Sequence, residues 1–419
     1  MKLGRFYTAL REPDQRQLER LGQVDIVVGI PCYYSAESVA YVIETVARGL
    51  EEFYPDRRAL ILVSDGGSTD DTREVAEAVE VTAFNVKKMV SIYRGLPGKG
   101  TAFRLIFEAA AFLNAKGLAL FDSDLKSITP EWVEHILTPV LEQEYDFVAP
   151  DYKRYKFDGT ITNTITYNLT RALYGVKIRQ PIGGDFGVSP ALVKFYLTQD
   201  IWDSDVAKFG IDIWMTTRAI VNNFKICQAR LGVKVHGEKD PAEDLSPMFY
   251  QVVGTIFQMM EMDVEFWMSQ PELREVPTYG KYVGSEPPAF EVSKAPLIEY
   301  FKTGFSNFGA LWREHLAPEE YEAVAALAAS EDEESFYLDP KTWVRIVYRY
   351  AWIFHNTDRQ RRKIVSTLIP IYNARVASLM TALGDPATDA EAYFEKQAQI
   401  FEQQRPWLVE LWHSQPEEA

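Results

Sequence analysis

Four apolar segments alternate with helical segments between residues 24 and 121 of this 419-residue chain. The apolar segments are VDIVVGIPCYY, RALILV, KKMVSIY and GLALF. The helical segment after the first of them carries apolar residues at the spacing of one helix face, namely Val39, Val42, Ile43, Val46 and Leu50. Strands that are apolar along their length and joined by helices are typical of a mostly parallel sheet covered on both faces. The sequence therefore predicts an α/β fold.

The character of the sequence changes at about residue 245. Beyond it the segments are long, helical in period and rich in aromatic residues, as in MFYQVVGTIFQMMEMDVEFW and PKTWVRIVYRYAWIFHN. We therefore predict three parts: an N-terminal extension (1–23), an α/β domain with helices on both faces of its sheet (24–245), and a helical C-terminal domain (246–419).

Composition excludes several classes of partner. The formal net charge is −16, which argues against nucleic acid or an anionic membrane, since both need clustered cations. The two cysteines, Cys32 and Cys227, lack the spacing of a zinc site or a disulfide framework. The opening segment is too polar for a signal peptide, and no apolar run approaches the roughly 20 residues of a membrane span. We expect a cytoplasmic protein.

Two carboxylates, Asp122 and Asp124, follow the fourth apolar segment directly. Residues i and i+2 of an extended chain point to the same side, so these carboxylates repel each other unless a cation lies nearby. A hard divalent cation, Mg²⁺ or Mn²⁺, whose shell a substrate diphosphate completes is the most economical partner. The alternative is a pair of turn or helix-capping carboxylates.

Two further strand ends carry polar chemistry, and ligands of such sheets sit at that edge. In LPGKGTA, Lys99 lies between two glycines just before a helix, where backbone N–H groups and the helix dipole favour phosphate. A plain loop with a solvated lysine is the alternative. Asp65 ends the second segment, where its carboxylate is suited to a nucleobase N–H or a ribose hydroxyl. We interpret Ser68 and Asp70 as capping residues of the next helix.

Seven motifs together resemble a known family: IPCYYSAESV, VSDGGSTDDT, PGKG, FDSD, QPIGGDFGV, FGIDIWMTT and LGVKVHGEKDP. Their order is similar to that in the retaining glycosyltransferases of GT-A fold that make mannosylglycerate, glucosylglycerate and glucosyl-3-phosphoglycerate. The resemblance covers residues 24–255. It implies that Asp124 and His236 bind Mg²⁺ or Mn²⁺, with Asp122 beside the metal or the ribose. A histidine satisfied within its own loop is the alternative for His236.

The resemblance also implies the ligands and the roles of further residues. The donor is a GDP- or UDP-hexose, the acceptor a small hydroxy acid, and the expected assembly a homodimer. Asp185 contacts the sugar or acceptor hydroxyls, Asp212 orients the acceptor, and Lys99 stabilises the leaving diphosphate. Asp212 as an ordinary helix N-terminal carboxylate is the alternative. The residues implied to contact the donor are Pro31, Tyr33, Glu37, Asp65, Gly98, Lys99, Asp122, Gly183 and Gly184.

The acceptor follows from the segment YKRYKFDGTITNTIT. It resembles the mannosylglycerate synthase segment that holds the glycerate carboxylate, which implies this role for Arg154 and Thr162. A guanidinium fork suits a carboxylate. Asp158 lies where the phosphoglycerate enzymes have an arginine, and its charge would repel a phosphate. D-glycerate is therefore the predicted acceptor, with 3-phosphoglycerate as the alternative and a surface cation as the other interpretation of Arg154.

Departures from the family pattern leave the base and the mechanism open. Tyr34 and Ser35 stand in place of the usual Asn-Glu, and Gly66 replaces the second Asp of an Asp-Asp pair. Retention is compatible with a carboxylate nucleophile, for which Asp185 is the candidate. The resemblance favours same-face attack, with the acceptor proton passing to the departing phosphate. A nucleotidyltransferase, whose Gly-rich signature is missing, and a non-catalytic nucleotide-sugar sensor are the competing functions.

Overall fold

The structure is a computed structural model that describes residues 7–236, 246–269, 272–282, 286–290 and 292–414. The end of the motif VKVHGEKDP, beyond His236, lies outside the described residues. The chain divides into two compact units. The first unit comprises Met1–Lys153, Ile178–Glu238 and Val276–Pro288, and the second comprises Arg154–Lys177, Lys239–Glu275 and Ala289–Ala419.

A mostly parallel sheet of eight strands forms the centre of the first unit. The strands of the described residues are, in chain order, β1 (Ile26–Cys32), β2 (Ala59–Asp65), β3 (Val86–Ile92), β4 (Gly117–Leu120), β5 (Phe147–Lys153), β6 (Val176–Lys177), β7 (Phe186–Val188), β8 (Ile226–Val233), β9 (Arg274–Glu275) and β10 (Thr278–Tyr279). The order across the large sheet is β10-β8-β5-β7-β4-β1-β2-β3, and β6 pairs with β9 in the second unit. Only β7 runs antiparallel to its neighbours among these described strands, against β4 and β5.

Helices cover the sheet and make up most of the second unit. The first eight are α1 (Glu12–Leu21), α2 (Val39–Phe53), α3 (Thr72–Ala78), α4 (Lys99–Phe112), α5 (Pro130–Glu142), α6 (Tyr167–Tyr174), α7 (Pro190–Leu197) and α8 (Ile211–Val221). The others are α9 (Ser246–Met262), α10 (Val264–Met268), α11 (Ala295–His315), α12 (Pro318–Ala329), α13 (Pro340–His355), α14 (Arg361–Ala382) and α15 (Ala390–His413). A single π-helical turn, Thr162–Thr166, precedes α6.

Both faces of the central strands are buried, which explains their continuous apolar sequence. Ile26, Val28 and Ile30 of β1 belong to the hydrophobic core that includes apolar residues of α2 and α5. Gly29 faces the other way, and a Cβ there would lie 2.5 Å from Cγ2 of Ile106 in α4. Alternate residues of one strand thus pack against helices on opposite faces. The predicted α/β fold with helices on both faces is confirmed.

The second unit is helical, as predicted for the C-terminal region, but it also includes residues 154–177. The physical reason lies in α6, where the buried Arg171 donates to the carboxylates of Glu395 and Glu402 on α15. An ion pair between residues so distant in sequence cannot be read from local pattern. Within the described residues, no helix is both long and apolar enough to cross a membrane.

The predicted N-terminal extension contains α1 and belongs to the first unit. Asp14 of α1 is buried and accepts a hydrogen bond of 2.8 Å from the Ser91 hydroxyl in β3. Glu108 of α4 accepts from the Thr8 hydroxyl and from the backbone N–H of Ala9. Residues 7–21 are therefore tied to the sheet and to α4 by side-chain contacts.

Candidate active site

Five charged side chains come together at one edge of the large sheet. Lys99 is the first residue of α4, Asp122 follows β4, and Lys234 follows β8 directly. Asp212 lies in the first turn of α8, and Asp185 immediately precedes β7. Because β7 is antiparallel to β4 and β5, its start meets the carboxyl ends of those strands. This edge is where ligands of such sheets bind.

These side chains alternate in charge, and we call them the carboxylate–lysine array. Nζ of Lys99 lies 3.2 Å from Oδ2 of Asp212 and 2.8 Å from Oδ1 of Asp122. Nζ of Lys234 lies 3.0 Å from Oδ2 of Asp122 and 3.0 Å from Oδ2 of Asp185. Three carboxylates and two ammonium groups leave one negative charge in excess.

The lysines keep the central carboxylate charged although it is largely shielded from water. Burial alone would raise the pKa of Asp122, but Lys99 and Lys234 outweigh burial and hold that pKa well below its usual range. Burial would likewise lower the pKa of Lys99, yet the carboxylates of Asp122 and Asp212 raise it above its usual value. Both charges of this pair persist across the physiological pH range.

Asp212 offers an unused acceptor atom. Oδ2 contacts Lys99, whereas Oδ1 is buried and accepts no hydrogen bond within the described part of the chain. Burial raises the pKa of this carboxyl above its usual value, with Lys99 acting in the opposite direction. A buried acceptor without a donor costs free energy in the unliganded protein, so Oδ1 is suited to a ligand hydroxyl.

Asp185 is completely buried, and its oxygens are occupied. Oδ1 accepts a hydrogen bond of 2.8 Å from the backbone N–H of Asp122. Oδ2 accepts from the Tyr152 hydroxyl and from Lys234. Burial raises the pKa of the Asp185 carboxyl, and Lys234 opposes that effect. This arrangement exposes no carboxylate oxygen for attack on a sugar, so it suits a positioning role and not the predicted role of nucleophile.

The two glycines before Asp185 allow other groups to approach the backbone closely. The groups that do so are side chains of the protein, not a ligand. Gly184 has φ +92°, and a Cβ there would lie 2.1 Å from Oδ2 of Asp122. A Cβ on Gly183 would lie 2.2 Å from Cγ of Pro150. Glycine is required at Gly184 by both conformation and space. The turn therefore packs directly against the central carboxylate of the array.

The loop that carries Lys99 is fixed against the segment that precedes α8. The backbone N–H of Gly100 donates to the carbonyl of Lys208 at 3.1 Å, and a Cβ on Gly100 would lie 2.0 Å from the carbonyl oxygen of Val206. The backbone N–H of Gly98 donates to the Tyr93 hydroxyl at 2.8 Å. These contacts hold Lys99 beside Asp212 without any ligand.

The predicted metal ligands lie on two segments that are hydrogen-bonded to each other. The N–H of Lys126 donates to the carbonyl of Val235, and the N–H of Val235 donates to the Ser127 hydroxyl, both at 2.8 Å. These bonds bring the chain just before His236 beside the chain just after Asp124. Across the described ranges, however, no three His, Cys, Asp or Glu side chains are gathered closely enough to bind a metal. The metal roles stay predictions.

The residues predicted to contact the donor at the ends of β1 and β2 differ in their exposure to solvent. Pro31 is buried within β1, which ends at Cys32, and Glu37 is exposed. Asp65 is fully buried and bonds to its own turn. Ser68 donates to Asp65, and Asp70 accepts from the N–H and hydroxyl of Thr72, the first residue of α3. The N-cap position itself is Asp71, which makes no side-chain capping hydrogen bond.

The predicted acceptor residues belong to the second unit. Nη1 of Arg154 lies 3.1 Å from Oδ2 of Asp158, four residues along the chain. Thr162 is buried in the π-helical turn. The guanidinium that was predicted to hold the acceptor carboxylate therefore has a carboxylate partner in its own segment. Roles for Arg154 and Thr162 in acceptor binding stay predictions.

Lys234 and Tyr152 are array contacts that the sequence reasoning missed. Nζ of Lys234 also donates to the carbonyl of Gly183 at 2.8 Å. One signal was present: Lys234 stands two residues before His236, and such residues in an extended segment point to the same side. Tyr152 carried no comparable signal, since it is one of many tyrosines in apolar strands.

Comparison with known proteins identifies the family of this chain. Residues 27–202 match the family model described as glycosyl transferase family 2. Protein RfbJ of Shigella flexneri is 31% identical over 121 residues, an alignment that covers 81% of that protein and 28% of this chain. The chain belongs to glycosyl transferase family 2. The family assignment makes it an enzyme, a glycosyltransferase, and agrees with the GT-A resemblance of its motifs.

Two other relatives of this glycosyltransferase are more distant. Glucosyl-3-phosphoglycerate synthase of Mycolicibacterium paratuberculosis is 23% identical over 257 residues, covering 55% of this chain and 71% of that protein. Glycosyltransferase AglD of Haloferax volcanii is 28% identical over 123 residues, covering 29% of this chain. The chain spans only 19% of the length of AglD.

Solved structures with some likeness to this glycosyltransferase include glucosyl-3-phosphoglycerate synthase of Mycobacterium tuberculosis. Its complex with Mg²⁺ and UDP has a TM-score of 0.43 and 23% identity, covering 58% of this chain and 82% of that one. Its complex with Mn²⁺, UDP-glucose and phosphoglyceric acid has a TM-score of 0.42 and 19% identity, covering 61% and 86%. Likeness at this level gives no information on the ligands of the present chain.

Proposed function

We propose that this glycosyltransferase transfers a hexose from a nucleotide diphosphate sugar to D-glycerate, with retention of the anomeric configuration and with the help of Mg²⁺ or Mn²⁺. The observation that carries the proposal is the carboxylate–lysine array, because it sits at the ligand edge of the sheet and leaves Oδ1 of Asp212 without a donor. Such an unsatisfied acceptor is suited to the hydroxyl of a small acceptor.

The charge of the array supports the need for a divalent cation. Its excess negative charge, with Asp124 adding another carboxylate, would repel a diphosphate. Asp124 and His236 supply an oxygen and a nitrogen ligand, and diphosphate oxygens suit the remaining positions of Mg²⁺ or Mn²⁺. These residues therefore fit such a cation. When bound, it neutralises charge that develops on the leaving diphosphate.

The chain's own residues supply the remaining parts of the reaction. Lys99, at the N-terminus of α4, attracts the diphosphate together with the helix dipole. Asp185 holds Lys234 and the backbone of Asp122 in place. Because Asp185 has no exposed oxygen, we favour same-face attack by the acceptor hydroxyl, its proton passing to the departing phosphate.

The name of one relative suggests a second acceptor, 3-phosphoglycerate, which should be tested alongside D-glycerate. Glucosyl-3-phosphoglycerate synthase of M. paratuberculosis is named for a phosphorylated acceptor. Against it stands Asp158, whose carboxylate pairs with Arg154 in this chain. The pairing neutralises the charge of Arg154, so this guanidinium is poorly suited to hold a phosphate. D-glycerate therefore remains the acceptor we propose.

A matrix of donors, acceptors and metals tests this function. UDP-, GDP- and ADP-linked glucose and mannose are each combined with D-glycerate, 3-phosphoglycerate and L-lactate, in Mg²⁺, Mn²⁺ or EDTA. We expect a hexosylglycerate, detected by mass spectrometry, only with a metal present. Hydrolysis of donors without transfer to any hydroxy acid, or transfer only to 3-phosphoglycerate, would contradict the proposal.

A further inference from the structure

A buried serine separates the two carboxylates that follow β4. Ser123 is 6% exposed, and the residues two positions to either side, Phe121 and Leu125, are buried in the hydrophobic core. Asp122 and Asp124, which lie between them, are partly exposed. Burial therefore alternates along this segment, as in an extended chain. The Ser123 hydroxyl takes a core position next to apolar side chains, where a polar group needs hydrogen-bond partners.

The hydroxyl of Ser123 reaches the loop between β1 and α2. Its Oγ lies 2.8 Å from Oγ of Ser35, which is also buried. The Ser35 hydroxyl donates its proton to the carbonyl of Tyr33 at 3.2 Å, so Ser123 is the donor between the two serines. The Cys32 thiol, whose pKa burial raises to about 12, hydrogen-bonds with Ser123 and keeps its proton for that bond. One directed chain of hydrogen bonds thus runs from the thiol, through both serines, to the carbonyl.

A second hydrogen bond joins the same two segments. The Ser38 hydroxyl donates to the backbone carbonyl of Ser123 at 2.8 Å. The backbone N–H of Ser35 donates at 2.8 Å to the hydroxyl of Thr72, the first residue of α3. The start of α3 therefore holds the loop after β1, and that loop holds Ser123 through both its hydroxyl and its carbonyl.

These hydrogen bonds act on the predicted metal ligand Asp124 through the backbone. The carboxylate of Asp122 is held by the ammonium groups of Lys99 and Lys234. Asp124 lies outside the carboxylate–lysine array and follows Ser123 directly. A rotation of the backbone at Ser123 would therefore move Asp124 away from the metal position while the lysines keep Asp122 in place.

We propose that Ser123 is a positioning residue for the divalent cation: its hydroxyl, held by Ser35, sets the backbone from which Asp124 reaches the metal. The inference rests on the proposed function, since it concerns the same metal. Removal of a group that orients a metal ligand typically weakens metal binding by about 10- to 100-fold. Because the two serines act through one hydrogen bond, loss of either has the same effect as loss of both.

Electron paramagnetic resonance of free Mn²⁺, recorded on the full chain with UDP, GDP and ADP in separate titrations, tests this inference. Ser123→Ala and Ser35→Ala should each weaken Mn²⁺ binding by about tenfold. The double variant should weaken it by about tenfold and no more, because all three variants lack the same bond. The matched control is Ser64→Ala, which removes a fully buried hydroxyl of β2 that has no hydrogen-bond partner among the described residues. It should leave Mn²⁺ affinity unchanged.

The thermal midpoint of each variant distinguishes positioning from folding, since a purely structural role would lower the midpoint and leave Mn²⁺ affinity at the wild-type value. Unchanged affinity in a folded Ser123→Ala or Ser35→Ala variant would overturn the inference, as would effects that multiply to about 100-fold in the double variant. If Ser123→Ala does not fold, Ser35→Ala decides, because it retains Ser123 and removes only its partner.

The wild-type titration separates this inference from the proposed function. Binding of Mn²⁺ by the wild-type chain keeps the proposed metal dependence standing even when the serine variants bind equally well. Failure of the wild-type chain to bind Mn²⁺ with any of the three nucleotides would overturn the metal dependence, and the role of Ser123 with it.

Discussion

The ammonium group of Lys99 lies 3.2 Å from Oδ2 of Asp212, whose other oxygen, Oδ1, accepts no hydrogen bond among the described residues. One side chain thus joins the N-terminus of α4 to that of α8 and leaves a buried acceptor beside the array. The predictions for Asp212 and for divalent metal depend on the charges that this arrangement places at the sheet edge.

Replacing Asp212 by Asn should reduce kcat by about 100-fold or more, with little change in the affinity for UDP. Asparagine keeps the shape but removes the charge that pairs with Lys99 and weakens the acceptor atom at Oδ1. Steady-state kinetics and UDP titration measure the two effects separately. Asp205→Asn, in the segment before α8 and at a partly exposed carboxylate that pairs with Lys208, should change neither value; an equal loss in both variants would contradict a specific role for Asp212.

Removal of divalent metal should silence the enzyme. EDTA should abolish transfer, and added Mg²⁺ or Mn²⁺ should restore it, because the array already carries excess negative charge before a diphosphate binds. The measurement is initial rate as a function of free metal. Full turnover in chelator would refute the metal assignment.

Substitution of a proposed metal ligand should affect activity and not folding. Asp124→Ala should abolish activity and leave the thermal midpoint within about 2 °C of wild type, because a carboxylate at a strand end contributes little to stability. His236→Ala should shift the Mn²⁺ titration to higher concentration. His413→Ala, at an exposed helix end, is the control. An unchanged titration in His236→Ala would argue against ligation, and unfolding of Asp124→Ala would indicate a structural role.

Acceptor choice should depend on the ion pair between Arg154 and Asp158. D-glycerate should be used better than 3-phosphoglycerate, by about tenfold or more in kcat/KM, since Asp158 opposes an added phosphate. Asp158→Arg should improve 3-phosphoglycerate selectively, whereas Arg154→Ala should depress both acceptors. Arg16→Ala removes an exposed cation that pairs within α1. It should leave kcat/KM unchanged for both acceptors. A wild-type preference for 3-phosphoglycerate would reject this placement of the acceptor.

The ion pair between Glu395 and Arg171 should make stability depend on pH. The hydrogen bond from Arg171 lowers the pKa of Glu395 below its usual value, with burial opposing it. A lowered folded-state pKa stabilises the protein above the unfolded pKa, about 4.3, and this stabilisation is lost as pH falls through the folded pKa. Glu395→Gln should lower the thermal midpoint at pH 7 by about 1–3 °C. The difference should shrink towards about pH 3, and a difference that is constant with pH would contradict the linkage.

Most of the sheet and part of the site were predictable because local pattern determines them. Continuous apolar segments predicted β1 to β4, and apolar residues at helical spacing predicted α2. Strand-end position predicted that Lys99 and Asp122 lie at the same edge of the sheet, whereas a role for Asp185 was implied by the family resemblance. All of these signals lie within a few residues of the feature they predict.

The features that the sequence did not predict depend mainly on contacts between segments that are distant in the chain. Residues 154–177 join the helical unit through Arg171 and its partners on α15, which no local periodicity reveals. Lys234 was missed because a lysine after a strand is ordinarily solvated, and only the folded sheet brings it to Asp122. Asp65 is a local exception, because its carboxylate accepts hydrogen bonds from two backbone N–H groups of the turn that follows it.

The most direct test of the central claim is ¹H NMR of the product formed from an α-linked UDP-hexose and D-glycerate in Mn²⁺. The account predicts a hexosylglycerate whose anomeric proton signal is that of the α configuration, formed by the wild-type enzyme and absent with Asp124→Ala. A β-linked product, or no transfer to D-glycerate from any nucleotide sugar while the protein is folded, would contradict it.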